Sequence, residues 1–123
     1  MARILVADDE RAVREFVRRA LVHWGHEVSV AEDGESALTA LGAGNFDLLL
    51  TDIVMPGMDG IALAQWAAAK RPGLPILLMS GYAAERQRAH NLEALDHKII
   101  PKPFTLREIG QAVNAALAAG TGS

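Results

Sequence analysis

Leu48-Leu49-Leu50-Thr51 is an apolar run with no polar alternation, and it stops at Asp52. A strand with one wet face alternates apolar and polar residues, so a run without alternation is covered on both faces. Strands of this kind lie in parallel sheets between layers of helix, and the flanking sequence supplies both elements. Upstream, Ile4-Leu5-Val6-Ala7 reads as a first strand and Val28-Ser29-Val30-Ala31 as a weaker second. Downstream, Ile76-Leu77-Leu78-Met79 reads as a fourth and Lys98-Ile99-Ile100 as a fifth. Between the runs the apolar period becomes helical. Val13, Phe16, Val17, Ala20, Leu21 and Trp24 make one stripe, and Gly25 stops that helix. Asp33 can cap a short helix carrying Ala37, Leu38 and Leu41. The loop Met55-Pro56-Gly57-Met58-Asp59-Gly60 precedes a third helix that runs to about Lys70, and Pro72, Gly73 and Pro75 break the chain after it. Residues 83–94 read as helical with a thin apolar stripe. Thr105 and Glu108 form a capping-box pattern for a last helix, whose buried side is Leu106, Ile109, Val113 and Leu117.

Strands joined by helices pair in parallel, with right-handed crossovers. Five βα units make an open, doubly wound α/β sheet, and the flavodoxin-like strand order 2-1-3-4-5 is expected. The chain reads as one domain over residues 1–119 with a flexible tail over 120–123. Its 123 residues suit a single core. The longest apolar run is too short to span a bilayer, and no charged leader with a cleavage site opens the chain, so a cytoplasmic protein is expected. Cysteine is absent, which excludes disulfides and thiolate metal sites. His23, His26, His90 and His97 lack the spacing of a zinc site, and Gly25 between the first two suggests a helix end. The net charge is −3 without a basic run, so no nucleic-acid partner is expected.

In such sheets ligands bind outside the carboxyl ends of the strands, near the point where the strand order reverses. Strand 1 ends in Asp8-Asp9-Glu10, strand 3 in Asp52, strand 4 in Ser80-Gly81 and strand 5 in Pro101-Lys102-Pro103. Taken singly these residues have ordinary uses. Asp8 or Asp9 could cap a helix, Asp52 could make a turn, Ser80 could cap, and Lys102 could be a solvated charge. Taken together they sit at one edge of the sheet. Three carboxylates brought together repel by several kcal/mol unless a cation compensates. Mg²⁺ accepts a few carboxylate oxygens and also binds phosphate oxygens. Ser80 and Lys102 add a hydroxyl and an ammonium for the remaining phosphate oxygens, the positioning and charge neutralisation that phosphoryl transfer needs.

With these residues in place the sequence resembles the receiver domains of two-component response regulators, over essentially the whole chain. The resemblance rests on Asp8-Asp9, on Asp52 followed by Val54-Met55-Pro56-Gly57-Met58-Asp59-Gly60, on Ser80-Gly81 and on Lys102-Pro103-Phe104. It implies that Asp52 is the phosphoacceptor, loaded by a sensor histidine kinase or a histidine phosphotransferase. It implies that Asp9 ligates Mg²⁺ directly, that Asp8 holds it through water, and that the Val54 backbone carbonyl completes the shell. Ser80 and Lys102 match the switch hydroxyl and the phosphate-binding lysine, and a cis Lys102-Pro103 bond is implied. Many receivers carry Tyr or Phe three residues before that lysine as a rotating switch; here the position is Ile99. Tyr82 follows Ser80-Gly81 instead, as in a subgroup of single-domain receivers, and either takes over the switch or covers the top of the sheet. Residues 48–63 and 90–109 further resemble stand-alone alphaproteobacterial receivers that act on the ClpXP protease, which implies the ClpX unfoldase as a partner.

Other functions are possible on this sequence. A phosphatase with an aspartate nucleophile would carry D-x-D after its first strand, whereas Asp8 and Asp9 are adjacent. A receiver cut from a larger regulator and a pseudo-receiver that only binds partners also stay open, although the acids, Ser80 and Lys102 argue against the latter. Output is expected through protein contacts made by the segment 83–94, the fifth strand and the last helix.

Overall fold

Leu48–Asp52 is buried along its whole length, as expected of a strand covered on both faces. The computed structural model describes residues 1–81 and 98–121. Along these the elements are β1 (Arg3–Ala7), α1 (Arg11–His23), β2 (Glu27–Ala31), α2 (Gly34–Ala43), β3 (Leu48–Asp52), α3 (Gly60–Lys70), β4 (Ile76–Ser80), β5 (Lys98–Pro101) and α4 (Leu106–Thr121). The five strands form one parallel sheet in the order β2-β1-β3-β4-β5, the order expected from the sequence. The helix read over residues 83–94 and the Tyr82 side chain lie outside the described residues.

Side chains alternate across each strand, so each strand feeds two cores. Leu5, Leu49, Ile53 and Leu78 pack with Ala37 and Leu41 of α2 and with Ile61, Leu63 and Ala67 of α3. Ile4, Val6, Leu48, Leu50, Leu77 and Met79 pack on the opposite face with Val17 and Leu21 of α1 and with Ile109 and Val113 of α4. β2 is an edge strand and mostly exposed, which accounts for its weak apolar signal. The registers place Ala7 beside Thr51, Asp52 beside Met79, and Ser80 beside Pro101. The strand ends therefore finish level, and the residues after them share one edge.

Local signals hold where they concern helix starts. The Asp33 carboxylate accepts from Ser36 N–H at 2.7 Å. Thr105 N–H donates to Glu108 Oε1 at 2.9 Å and Glu108 N–H donates to Thr105 Oγ1 at 3.1 Å, completing the capping box. Two readings need correction. Phe16, placed in the α1 stripe, is 42% exposed because it sits at the margin of the stripe against Phe104, with ring centroids 6.2 Å apart. Leu106, assigned to the buried side of the last helix, is 39% exposed because it opens α4.

α1 and α4 meet at a tight contact. Trp24 Nε1 donates to the Leu106 carbonyl at 3.1 Å, and the indole lies where a Cβ on Gly110 would have to go. Gly110→Ala should therefore destabilise the protein by about 1–3 kcal/mol through overpacking, although alanine is the better helix former. Urea denaturation followed by tryptophan emission measures this. A variant as stable as wild type would show that the indole can yield.

Candidate functional site

Asp8 and Asp52 end buried strands, so their positions are inherited from the sheet. Asp8 N–H donates to the Ala31 carbonyl at 3.1 Å, one step beyond the β1–β2 ladder, and Ile53 N–H donates to the Met79 carbonyl at 3.0 Å, one step beyond β3–β4. Asp9 follows on the corner into α1 and is exposed. One carboxylate oxygen from each of Asp8, Asp9 and Asp52 can be chosen so that all lie within 4.8 Å of one another. That spacing, with oxygen donors only, suits a hard divalent cation.

Lys102 reaches into this cluster from beyond β5. Its Nζ lies 2.9 Å from Asp52 Oδ1 and 3.3 Å from Asp8 Oδ2. Its N–H donates to the Ser80 carbonyl at 2.8 Å, which ties the ends of β4 and β5. Burial lowers the affinity of the Lys102 ammonium for its proton, but hydrogen bonding and charge from Asp52 and then Asp8 outweigh it and raise the pKa overall. Burial raises the Asp8 pKa above its ordinary value; the Glu10 N–H bond and the Lys102 charge only partly offset this. Ser80 is buried at the end of β4. Val54 is 52% exposed and, with Asp9, Glu10, Asp52, Gly81, Lys102 and Pro103, lines an open cavity of about 520 Å³. The Lys102-Pro103 bond is cis. Ile99 is partly buried against the core on the α2–α3 side of the sheet, so an aliphatic side chain fills the position where many receivers place a ring.

Some contacts carry no sequence signal that was read. Asp8 Oδ1 accepts from Glu10 N–H at 2.8 Å, and Glu10, not Asp8 or Asp9, is the N-cap residue of α1. The Lys102 contact to Asp8 joins residues 94 positions apart and has no local sequence signal. Arg14 Nη1 donates to the Asp8 carbonyl at 2.9 Å. Gly60 N–H donates to the Ile53 carbonyl at 2.8 Å, and a Cβ on Gly60 would overlap the Asp52 carbonyl. Only glycine lets the start of α3 approach the strand end that carries Asp52 this closely. An apolar groove of about 310 Å³, lined by Ala12, Val13, Phe16, Lys102, Pro103 and Phe104, adjoins the carboxylate cavity and shares Lys102 and Pro103 with it.

A parallel five-stranded sheet with acids at the ends of β1 and β3 and a lysine after β5 defines a class of signalling domain. Residues 4–114 match the response regulator receiver domain family, and the chain belongs to that family, whose members serve two-component signalling. The response regulator receiver protein CpdR of Brucella abortus is 40% identical over 119 residues, covering 97% of this chain and 99% of CpdR. The narrower resemblance read from residues 48–63 and 90–109 is to receivers of this CpdR type. The response regulator MprA of Mycolicibacterium vanbaalenii is 36% identical over 115 residues, which are 94% of this chain and 50% of MprA. Among solved structures, the response regulator TrrA of Thermotoga maritima in complex with Mg(2+)-BeF superposes with a TM-score of 0.85 at 35% identity, over 94% of this chain and 99% of TrrA. No helix among the described residues is long and apolar enough to cross a membrane.

The electrostatics set a pH dependence for the metal-free protein. Asp8 has a raised folded pKa, so its ionised form costs stability at neutral pH, and the cost is relieved as pH falls through that pKa towards the ordinary 3.8. Asp8→Asn keeps an acceptor for Glu10 N–H and removes the buried charge. It should therefore raise the thermal midpoint at pH 7, by an amount that shrinks as pH is lowered. Thermal melts across pH test this, and a variant less stable than wild type at pH 7 would mean that the pairing with Lys102 outweighs burial.

Proposed function

We propose that this receiver accepts a phosphoryl group on Asp52 from a sensor histidine kinase or a histidine phosphotransferase, and signals through contacts with other proteins. The observation that carries this reading is the gathering of three carboxylates within 4.8 Å around an ammonium 2.9 Å from Asp52. Asp8, Asp9, Asp52 and the Val54 backbone carbonyl would hold Mg²⁺, whose chemistry there is to neutralise charge on the phosphoryl oxygens. The Mg(2+)-BeF complex of TrrA supports the same ligand class for this donor set. An Asp52 carboxylate oxygen attacks phosphorus, the nitrogen–phosphorus bond of the donor phosphohistidine breaks, and the imidazole leaves with that electron pair. Lys102 transfers its contact from the bare carboxylate to a phosphoryl oxygen, and the Ser80 hydroxyl donates to another. Ser80, and Tyr82 or the neighbourhood of Ile99, then carry the change to the output face.

This chemistry makes the chain a phosphoacceptor signalling protein that takes part in its own phosphorylation and dephosphorylation, and not an enzyme acting on other substrates. The near full-length match to CpdR supports the further reading of a cytoplasmic receiver that regulates ClpXP proteolysis through the ClpX unfoldase. The match to half of MprA supports a second reading, in which the same domain serves as the receiver portion of a longer regulator.

Incubation with a histidine phosphotransferase, a phosphodonor and Mg²⁺, followed by intact-protein mass spectrometry, should show one added phosphoryl group, lost in Asp52→Ala. Undiminished phosphorylation of that variant would move the acceptor elsewhere. For the partner, ClpX should be retained by Asp52→Ala and released by phosphorylated wild type in a pull-down. Equal or absent binding in both would reject the protease reading and leave the receiver chemistry untouched.

A further inference from the structure

The corner that carries two of the three carboxylates lacks the clamp usual at a helix start. Glu10 occupies the N-cap of α1 without a side-chain cap hydrogen bond, and Asp9 is exposed beyond the end of β1. The location of Asp9 relative to Asp8 and Asp52 is therefore set by the backbone of residues 8–10. Three of the four polar atoms of Asp8 have partners already described: its N–H on Ala31, Oδ1 on Glu10 and Oδ2 on Lys102. The fourth is its carbonyl, which accepts from Arg14 Nη1 at 2.9 Å.

We infer that Arg14 is a positioning residue for the metal-binding carboxylates, holding the Asp8 carbonyl so that the corner presents Asp8 and Asp9 together. The inference rests on the metal reading proposed above. Arg14 is well placed for the task. Its own N–H donates to the Glu10 carbonyl at 3.0 Å in the first turn of α1, while its guanidinium reaches back to the last residue before the corner. One residue thus spans the corner, with its backbone on Glu10 and its side chain on Asp8.

The guanidinium has two effects on a divalent cation, and they differ in sign. Its charge repels the cation, so removal on that count would tighten binding. Its hydrogen bond holds the corner, so removal on that count would weaken binding. The charge is partly exposed and therefore screened, and it acts across the peptide unit and not through a shared ligand atom. Groups that orient metal ligands from behind change affinity by about 10–100-fold when removed, so the positioning effect should win.

The test is a Mg²⁺ titration of the metal-free full chain by calorimetry, with the thermal midpoint of each metal-free protein recorded alongside. Arg14→Ala should raise the Mg²⁺ dissociation constant by about tenfold. A purely structural role would lower the metal-free midpoint and leave the dissociation constant in place. Arg14→Met keeps the apolar stem while removing donor and charge, and decides by the same reading if the alanine variant does not fold. An unchanged or lowered dissociation constant would overturn the inference while leaving the metal site standing. Wild-type protein that takes up no Mg²⁺ would reject the metal reading and this inference with it.

Discussion

A single ammonium group binds the carboxyl edge of the sheet together. Lys102 Nζ lies 2.9 Å from Asp52 and 3.3 Å from Asp8, so residues at the ends of β1, β3 and β5 share one contact centre. The strand order makes this demanding. β1 and β3 are neighbours, but β4 separates β3 from β5, so the cation must cross a strand to arrive. Lysine suits that task as a compact charge on a long flexible stem. The stem starts from a fixed place, because Lys102 N–H is held by the Ser80 carbonyl at 2.8 Å. Asp52, Asp8 and the end of β4 that carries Ser80 are thereby tied into one unit.

That unit is balanced to accept more positive charge. Three clustered carboxylates against one ammonium leave an excess of negative charge in a partly buried place, and burial already holds the Asp8 proton affinity high. A divalent cation held by the three carboxylates would supply the missing charge. The resting lysine contacts and the proposed phosphorylated state draw on the same positive group, so the site cannot keep its resting contacts unchanged once Asp52 is loaded. On the proposed reading, competition for Lys102 would be the first step of a two-state response that Ser80 then passes on.

How far the sequence reveals this depends on the range of each interaction. The strands were legible because burial on both faces leaves unbroken apolar runs, as in Leu48–Asp52. The helix starts at Asp33 and Thr105 were legible because a cap acts across three residues. The site acids were legible because a parallel sheet brings its strand ends to one edge. Contacts between distant residues left no local trace: Lys102 meets Asp8 across 94 positions, and the seat of Trp24 on α4 shows in the sequence only as Gly110, an unremarkable helical glycine. Phe16 and Leu106 are more exposed than helical periodicity predicts, because periodicity gives the direction of a side chain and neither the margin of the stripe, where Phe16 sits, nor the end of the helix, where Leu106 sits.

Gly60 shows why the loop after Asp52 reads as a motif. The start of α3 lies against the Asp52 carbonyl with no room for a Cβ, and its N–H is spent on the Ile53 carbonyl. On the other side of the same loop, Met58 abuts Gly34 at the start of α2, again without space for a Cβ. Two glycines thus seat the loop between two helix starts, with the start of α3 held against the backbone of Asp52 and Ile53. On the proposed reading, a phosphoryl group on Asp52 would recruit Lys102 and Ser80, which lie at the ends of β5 and β4, so the change would begin on that side of the sheet and not in the β3–α3 loop.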